Sequence, residues 1–389
     1  MSKLGRILIS AAVVAVGLGL AAPAKADAPS RSIILNAFGD VQATYGESKP
    51  FLDVMTNKVD RTKESAYCIG VVEGDLYGQP VTVGITGTGG GNSGPCAQEM
   101  LGWYSPNIKE FIWSGIGGVT PAVGGMYNDA GRNLDNPPVM IVDRCIGVLA
   151  WNYDLHFSSV NDWAAAHSKP SLLYGPAGGW WPMMNAQGEQ VAPGFDNVQQ
   201  FAVAGTALAD EVLRASASIT EPTRPTSVTR KILRFHPDRS QLREAKSFSY
   251  RICGGEVSAD NFWHGIPEDK LARRYMANLM RVSGVNPNAK PSNIVAFSAM
   301  EATPWMTAVT RWNSQFSTNF PMVVVRAASN YDLVPLRANG QPVLGKDGKP
   351  LDAMQAIDAG FDDQSSAYAA SSAAAPILRM FQLRASGQS

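Results

Sequence analysis

Histidine and cysteine are scarce in this sequence of 389 residues, with four of each. The histidines are scattered, and because neither an HExxH nor an HxxxH pair occurs, we predict no catalytic metal. We predict no cofactor either. The GxSxG turn that exposes the nucleophile of α/β hydrolases is missing too. The 33 basic residues only balance the 33 acidic ones, which argues against a general nucleic-acid-binding surface.

Long hydrophobic runs are absent after the N-terminal segment. There, Lys3 and Arg6 precede an apolar run over residues 7–22, and an A-x-A cleavage pattern ends at Ala26. We expect residues 1–26 to be a cleaved signal peptide and the rest to be exported, periplasmic or secreted, without a membrane span. The alternative is a membrane anchor, but the run is shorter than the roughly 20 residues that cross a bilayer.

The four cysteines are spaced too widely for a CxxC zinc or redox motif. They are Cys68, Cys96, Cys145 and Cys253. Export permits disulfides, and four cysteines allow three pairings, which the sequence does not rank. Buried free thiols remain an equal alternative, because an unpaired cysteine often packs as a small apolar residue.

The composition is that of a folded chain with a large core. Hydrophobic residues make up 45% of the sequence and charged residues 17%, against roughly 25% charged in typical domains. Strand-like and helix-like stretches alternate, and several apolar runs are unbroken, which favours strands covered on both faces. We predict one α/β domain over residues 27–389, a three-layer sandwich with a twisted, mixed but largely parallel central sheet and helices on both faces. The irregular aromatic stretch at about 151–195 is predicted to be an insertion.

Two glycine-rich turns follow predicted strands. Tyr67–Glu73 and Pro80–Thr86 are predicted to form a hairpin with a connection of five or six residues. The second of these strands leads into the glycine loop Gly87–Gly94 and then a helix predicted over Pro95–Trp103. A strand, a glycine loop and a helix in this order direct backbone N–H groups at a ligand. A further strand, Glu110–Ser114, also runs directly into glycines.

Other elements complete the prediction. Helices are expected over Phe201–Ala215 and Pro267–Val282, from about Ala302, and over Ser365–Arg384, with a buried strand at Met322–Ala327. Ligands of such sheets bind at the carboxyl ends of strands. The residues just past each predicted strand are therefore the candidates for a functional site.

Five motifs in a fixed order support a family resemblance. They are GTGGGNSG at 87–94, FIWSGIGGV at 111–119, SADNFWHG at 258–265, AMEATPW at 299–305 and VVVRAASNYD at 323–332. Together they resemble the nucleoside phosphorylase superfamily, which includes purine and uridine phosphorylases, methylthioadenosine/S-adenosylhomocysteine nucleosidases, and purine nucleoside permease-like and bark storage proteins. The resemblance covers roughly residues 31–145 and 247–335. It implies a phosphorylase-type fold that binds or cleaves an N-glycosidic bond.

The resemblance also implies a substrate site. Met300 and Glu301 match the family's Met-Glu pair, whose carboxylate binds the ribose hydroxyls, while the alternative for Glu301 is a structural carboxylate satisfied by backbone donors or arginine. Phe262 and Trp263 match an aromatic pair that stacks on the base, and ordinary core packing is their alternative. The remaining predicted substrate-binding residues are Ser114, Thr88, Gly89 and Ser93.

The chain departs from the family pattern at the leaving group. Asn330 stands where nucleosidases and hexameric phosphorylases have the aspartate that protonates the purine. An asparagine amide cannot supply a titratable proton, but it can hydrogen-bond a purine. This weakens an adenine-nucleosidase assignment without excluding 6-oxopurines. Asp332 is the fallback acid, and we count both among the candidate catalytic residues.

The chain also departs from the pattern where phosphorylases bind phosphate. Trp113 occupies the position of a family arginine, and the turn at 38–43 contains no arginine either. Because an anion needs such donors, water is favoured over phosphate as the nucleophile. Asp40, or Glu47 with less weight, is then the candidate general base. The alternative for Asp40 is a carboxylate that stabilises a turn.

The sequence thus predicts an exported enzyme that cleaves the N-glycosidic bond of purine nucleosides, with hydrolysis ahead of phosphorolysis. Its partners would be a small nucleoside and, for phosphorolysis, phosphate. A homo-oligomer is compatible with the resemblance. The alternative is a noncatalytic relative that binds nucleosides for uptake, or a storage-type protein that keeps the fold.

Overall fold

The computed structural model describes the chain in several ranges. They are residues 29–119, 143–154, 156–158, 180–182, 201–235, 249–250, 256–260, 266–291, 297–331, 344–345, 347–349 and 363–388. The expected signal peptide and most of the expected insertion lie outside these ranges, so both stay predictions. Phe262, Trp263 and Asp332 lie outside them as well.

Strands and helices both occur along the whole length of the described chain. The strands are β1 (Arg31–Asn36), β2 (Thr56–Asp60), β3 (Gly70–Leu76), β4 (Gln79–Ile85), β5 (Ile108–Val119), β6 (Arg144–Gly147), β7 (Leu149–Asn152), β8 (His156–Ser158), β9 (Trp180–Pro182), β10 (Phe201–Val203), β11 (Ser249–Tyr250), β12 (Glu256–Ser258), β13 (Phe297–Ala299) and β14 (Met322–Tyr331). The helices are α1 (Lys49–Val54), α2 (Gly90–Tyr104), α3 (Ala207–Ser216), α4 (Thr226–Phe235), α5 (Ile266–Val282), α6 (Ala302–Phe316) and α7 (Asp363–Ala385).

The main sheet is mixed. Its strands run in the order β10-β7-β12-β13-β5-β1-β4-β3-β2, and β14 pairs with both β5 and β6. The central pairs β1–β4, β1–β5, β14–β5 and β12–β13 are parallel, whereas β13–β5 and the β2–β3–β4 pairs are antiparallel. Strand β5 spans 12 residues, so β14 lies along one edge while β1 and β13 pair with successive parts of the other.

Helices cover both faces of this sheet. Phe111 and Trp113 of β5 stack on Trp305 of α6, with ring centroids 6.4 and 6.1 Å apart. Glu110, the neighbouring residue in β5, instead pairs with Arg384 of α7 at 2.5 Å. Alternate residues of a strand point to opposite faces, so α6 and α7 lie on opposite sides of β5. The predicted three-layer α/β sandwich is confirmed.

The predicted hairpin forms with a much tighter connection than expected. Strands β3 and β4 are joined by Tyr77 and Gly78 alone, with φ values of +51° and +79°. Positive φ at both central residues matches the twist of the flanking strands. The predicted connection of five or six residues is therefore wrong. Gly74 belongs to β3, where a Cβ would come within 2.8 Å of Met55.

Helix α2 begins at Gly90, five residues before the predicted start. Gly90 and Gly94 lie against Pro304 of α6, and a Cβ on them would come within 2.8 and 3.4 Å of that proline. These glycines permit close packing of two helices, and the expectation that all of them form a loop is wrong. Pro95 is accommodated inside the helix, near its N-terminal end.

The other predicted elements have mixed outcomes. The helix expected over Phe201–Ala215 starts only at Ala207, because Phe201–Val203 pairs with β7 as β10. Helices α5, α6 and α7 lie where the sequence predicts them, within two residues. In the part of the chain that the structure describes, no helix combines the length and apolarity needed to cross a membrane.

The described cysteines form disulfides, which excludes the alternative of buried free thiols for them. Cys68 is bonded to Cys96, which joins the segment before β3 to α2, and Cys145 is disulfide-bonded as well. Since Cys96 follows closely on the glycine loop, the Cys68–Cys96 bond holds the start of α2 against the sheet.

Replacing Cys68 and Cys96 together by alanine should destabilise the fold. The bond closes a loop with a sequence separation of 28. A loop of that size contributes about 3.5 kcal/mol by restricting the unfolded chain. Urea unfolding of the oxidised wild type and the double variant measures the difference. Equal midpoints would show that the bond does not constrain the fold.

Candidate active site

Arg326 of β14 is a buried cation at the carboxyl end of the sheet. Its side chain is 1% exposed. The Nη2 group donates to Glu301 at 2.6 Å, Nε donates to Glu256 at 2.7 Å, and Nη1 donates to the carbonyl of Ile116 at 3.0 Å. A third carboxylate, that of Glu47, lies 4.0 Å from Nη1. One guanidinium thus gathers three buried carboxyl groups from separate parts of the chain.

Glu301 connects this cation to the glycine loop. Strand β13 ends at Ala299 and α6 begins at Ala302, which leaves Glu301 as the N-cap residue of α6. Its Oε1 accepts the N–H of Gly89 at 3.1 Å, and its Oε2 accepts the N–H of Met300 at 3.2 Å. Burial raises the pKa of the Glu301 carboxyl, and Arg326 opposes that rise.

Glu256 of β12 belongs to the same cluster and contacts the start of α6. Its Oε1 accepts the N–H groups of Glu301 and Ala302 at 3.0 and 2.8 Å and the hydroxyl of Ser258 at 2.9 Å. The hydroxyl oxygen of Ser258 in turn accepts the N–H of Thr303 at 3.0 Å. These bonds satisfy N–H groups that the first turn of a helix leaves unpaired. Sequence reasoning missed Glu256, which precedes the motif SADNFWHG by two positions.

Glu47 bridges two central strands of the sheet. Its Oε2 accepts the N–H of Ala37, just past β1, and its Oε1 accepts the N–H of Ile116 in β5, both at 2.7 Å. Burial raises the pKa of Glu47 to about 7, with Arg326 lowering it and Glu301 raising it further. A carboxyl group with such a pKa exchanges a proton at neutral pH, as a general base must.

Asp40 lies in a different environment. Its carboxylate accepts the N–H of Thr44 at 2.8 Å and also the Thr44 hydroxyl. These bonds lower the pKa of Asp40, with the side-chain bond having the largest effect. The geometry is that of a turn stabilised by its own carboxylate.

Gly115 makes the close approach of charges possible. A Cβ at this position would lie 2.4 Å from Nη1 of Arg326, 2.7 Å from Oε1 of Glu47 and 3.0 Å from Nε1 of Trp113. No other residue type fits there without displacing the cation. Trp113 is fully buried, and its ring lies beneath the Arg326 guanidinium with a centroid distance of 5.0 Å.

The structure brings several predicted substrate-binding residues together. Gly89 and Met300 donate to Glu301, and the Ser93 hydroxyl donates to the Glu301 carbonyl at 2.9 Å. Thr88 is exposed on the same loop, where its carbonyl accepts from the side chain of Asn92.

Ser114 and Asn330 lie at the same end of the sheet. The Ser114 carbonyl accepts from the Asn36 side chain at 2.6 Å. Asn330 follows a bulge in β14 and is paired with Gly118, which also pairs with Ser298 of β13. The Asn330 side chain accepts from Ser329 at 2.8 Å and donates to the Tyr331 carbonyl at 3.3 Å. The catalytic and substrate-binding roles of these residues stay predictions.

Asp260 is a further acidic group beside the loop that sequence reasoning did not single out. Its Oδ1 accepts the N–H of Gly90 at 2.7 Å, at the first residue of α2. Its own N–H donates to Asp154 at 2.5 Å. A carboxylate at a helix N-terminus is favourable because it faces the positive end of the helix dipole. Asp260 therefore stabilises the start of α2 and adds negative charge to the site.

Comparisons with known proteins gave matches among solved structures only. No protein-family model matches the chain, and no curated protein does. A methylthioadenosine/S-adenosylhomocysteine nucleosidase from Neisseria meningitidis, solved with methylthio-immucillin-A, matches with a TM-score of 0.47 and 14% identity over 90% of this chain and 98% of that one. Futalosine hydrolase of Helicobacter pylori matches with a TM-score of 0.44 and 12% identity over 91% and 97%. Methylthioadenosine/S-adenosylhomocysteine nucleosidases are one of the groups that the sequence resemblance includes.

The raised pKa of Glu47 predicts how stability depends on pH. The folded pKa is about 7 against 4.5 for an ordinary glutamate, so between these values the folded chain binds more protons than the unfolded chain. Glu47 therefore lowers the free energy of unfolding as pH rises from about 4.5 to 7, with a slope approaching about 1.4 kcal/mol per pH unit. Glu47→Gln removes this slope, so urea unfolding from pH 5 to 8 should show the variant gaining on the wild type. Parallel pH dependences would contradict the raised pKa.

Proposed function

We propose that this chain is a nucleosidase that hydrolyses the N-glycosidic bond of purine nucleosides. The observation that carries the proposal is the pairing of Glu301 and Glu47 with one buried guanidinium beside the glycine loop. Glycosidic cleavage passes through an oxocarbenium-like sugar, which needs a partner for the sugar and a base for the attacking water. These two carboxyl groups match those two needs.

Glu301 is the proposed sugar-binding group. Its Oε1 accepts one N–H, from Gly89, among the described contacts. A carboxylate oxygen has two lone pairs, so Oε1 retains the capacity to accept a ribose hydroxyl. Its negative charge would also stabilise the positive charge that develops on the sugar. Arg326 holds the other oxygen and so fixes the orientation of the group.

Glu47 is the proposed general base. Sequence reasoning ranked it behind Asp40, but the carboxylate of Asp40 is engaged with Thr44, and its lowered pKa makes it a weak base. The pKa of Glu47, about 7, suits proton transfer at neutral pH. The indole N–H of Trp113 has no hydrogen-bond partner among the described residues and lies near Glu47. It is available to orient a water molecule.

Charge around the loop favours water over phosphate. Three buried glutamates and Asp260 surround the described part of the site, against the guanidinium of Arg326. The N–H groups of that guanidinium already donate to two carboxylates and a carbonyl. A doubly charged phosphate would meet net negative charge, whereas water is neutral.

Asn330 is the proposed residue that hydrogen-bonds the leaving purine base. A carboxamide donates and accepts hydrogen bonds without carrying charge, which suits a 6-oxopurine. We therefore place inosine and guanosine ahead of adenine nucleosides. The disulfide between Cys68 and Cys96 supports an oxidising compartment, and with it the expected export.

The direct test is product formation by the chain from residue 27 onward. We expect free base and free ribose from inosine or guanosine, at rates that do not change when phosphate is added. Adenosine and methylthioadenosine complete the panel. Recovery of every nucleoside intact would contradict the proposal, and calorimetric binding of an intact nucleoside would then establish the noncatalytic alternative. Cleavage only with phosphate would contradict water as the nucleophile.

The two candidate bases can be separated by matched variants. Glu47→Gln should lower kcat by a factor of about 100 or more, the range that general bases contribute. Asp40→Asn should leave kcat close to that of the wild type. In the wild type, kcat/KM should rise with pH through about 7 as Glu47 loses its proton. Loss of activity in Asp40→Asn with retention in Glu47→Gln would reverse the assignment.

Glu301→Gln should impair both binding and chemistry. The change keeps the shape but removes the charge that faces the sugar and Arg326, so we expect KM to rise and kcat to fall at least tenfold. Glu110→Gln is the control, because Glu110 is equally buried and pairs with Arg384 on the opposite face of the sheet. Steady-state kinetics measures both variants. Equal kinetics in the two would remove the sugar-binding role.

A further inference from the structure

Glu256 is a buried carboxylate that the proposed chemistry does not use. It is fully buried in β12, and its two oxygens divide their contacts between separate elements. Oε2 pairs with Nε of Arg326 at 2.7 Å, while Oε1 holds the N–H groups of Glu301 and Ala302 at the start of α6. One side chain therefore fixes both the cation and the backbone that presents Glu301.

The cluster is unbalanced in charge. One guanidinium, that of Arg326, faces three carboxyl groups, and all four side chains are at most 3% exposed. A net negative charge in such a site is costly, so the cluster favours keeping a proton on one carboxyl group. The distances show which carboxyl group is paired least closely with the cation. Glu301 and Glu256 lie 2.6 and 2.7 Å from the guanidinium, whereas Glu47 lies at 4.0 Å.

We propose that Glu256 is a positioning residue that occupies one side of the Arg326 guanidinium and thereby keeps a proton on Glu47. This inference rests on the proposed function, in which Glu47 acts as a base once it loses its proton near neutral pH. Among the described residues, the charged groups that face Glu47 are Arg326 from β14 and Glu301 at the start of α6, and the same two groups face Glu256. When Glu256 is made neutral, the full charge of Arg326 becomes available to Glu47 and Glu301.

Carboxyl titration tests this inference without any need for activity. Protein labelled with ¹³C at the glutamate carboxyl is titrated from pH 4 to 9, with Glu47→Gln assigning the Glu47 resonance. In Glu256→Gln the Glu47 midpoint should fall by about one pH unit, the smaller end of the effect of a nearby charge. Glu110→Gln, a buried ion pair on the opposite face, should leave the midpoint unchanged. If nucleosides are cleaved, the acid limb of kcat/KM should shift in parallel.

The outcomes separate the two proposals. An unchanged Glu47 midpoint in folded Glu256→Gln overturns the tuning role, whether or not the protein cleaves nucleosides. A shifted midpoint in a protein that cleaves nothing supports the tuning and overturns the proposed function. If Glu256→Gln does not fold, Glu256→Asp decides, because the shorter side chain withdraws the carboxylate from the Arg326 guanidinium, which it contacts at 2.7 Å in the wild type. A fall in the Glu47 midpoint then supports the inference, and a midpoint like that of the wild type overturns it.

Discussion

The site depends on the ion pairs of a single arginine. Glu47, Glu256 and Glu301 come from a loop, a strand and a helix start, and each would be costly to bury without a cation. Arg326 pairs with two of them directly and lies 4.0 Å from the third. Breaking a buried pair from one side costs about 3–5 kcal/mol, so the guanidinium and the carboxylates hold one another in place.

The fold supplies the geometry that this cluster needs. Strand β5 passes beneath the guanidinium at Gly115, where the lack of a side chain lets Arg326 and Glu47 approach the backbone. The stacked rings of Trp113 and Trp305 fill the layer between β5 and α6. The glycine loop then contacts Glu301 through a backbone N–H, so loop, helix and sheet meet at one point.

The sequence reveals part of this arrangement and hides the rest. Glycine turns after strands are local signals, and the family resemblance adds Glu301. The structure brings Gly89, Ser93 and Glu301 together. Which distant carboxylates share a cation depends on the order of strands in the sheet, which local pattern does not encode. For that reason Glu47 ranked behind Asp40 and Glu256 was missed. Glycines that permit close packing of helices look the same in sequence as glycines that form a flexible loop. The predicted start of α2 at Pro95 was therefore wrong, and the helix begins at Gly90.

A crystal structure with a non-hydrolysable inosine analogue tests the account most directly. We expect the ribose hydroxyls within hydrogen-bond distance of Glu301, an ordered water between Glu47 and the anomeric carbon, and the base against Asn330. An analogue that binds elsewhere, or that leaves Glu301 and Glu47 without contact to sugar or water, would contradict it.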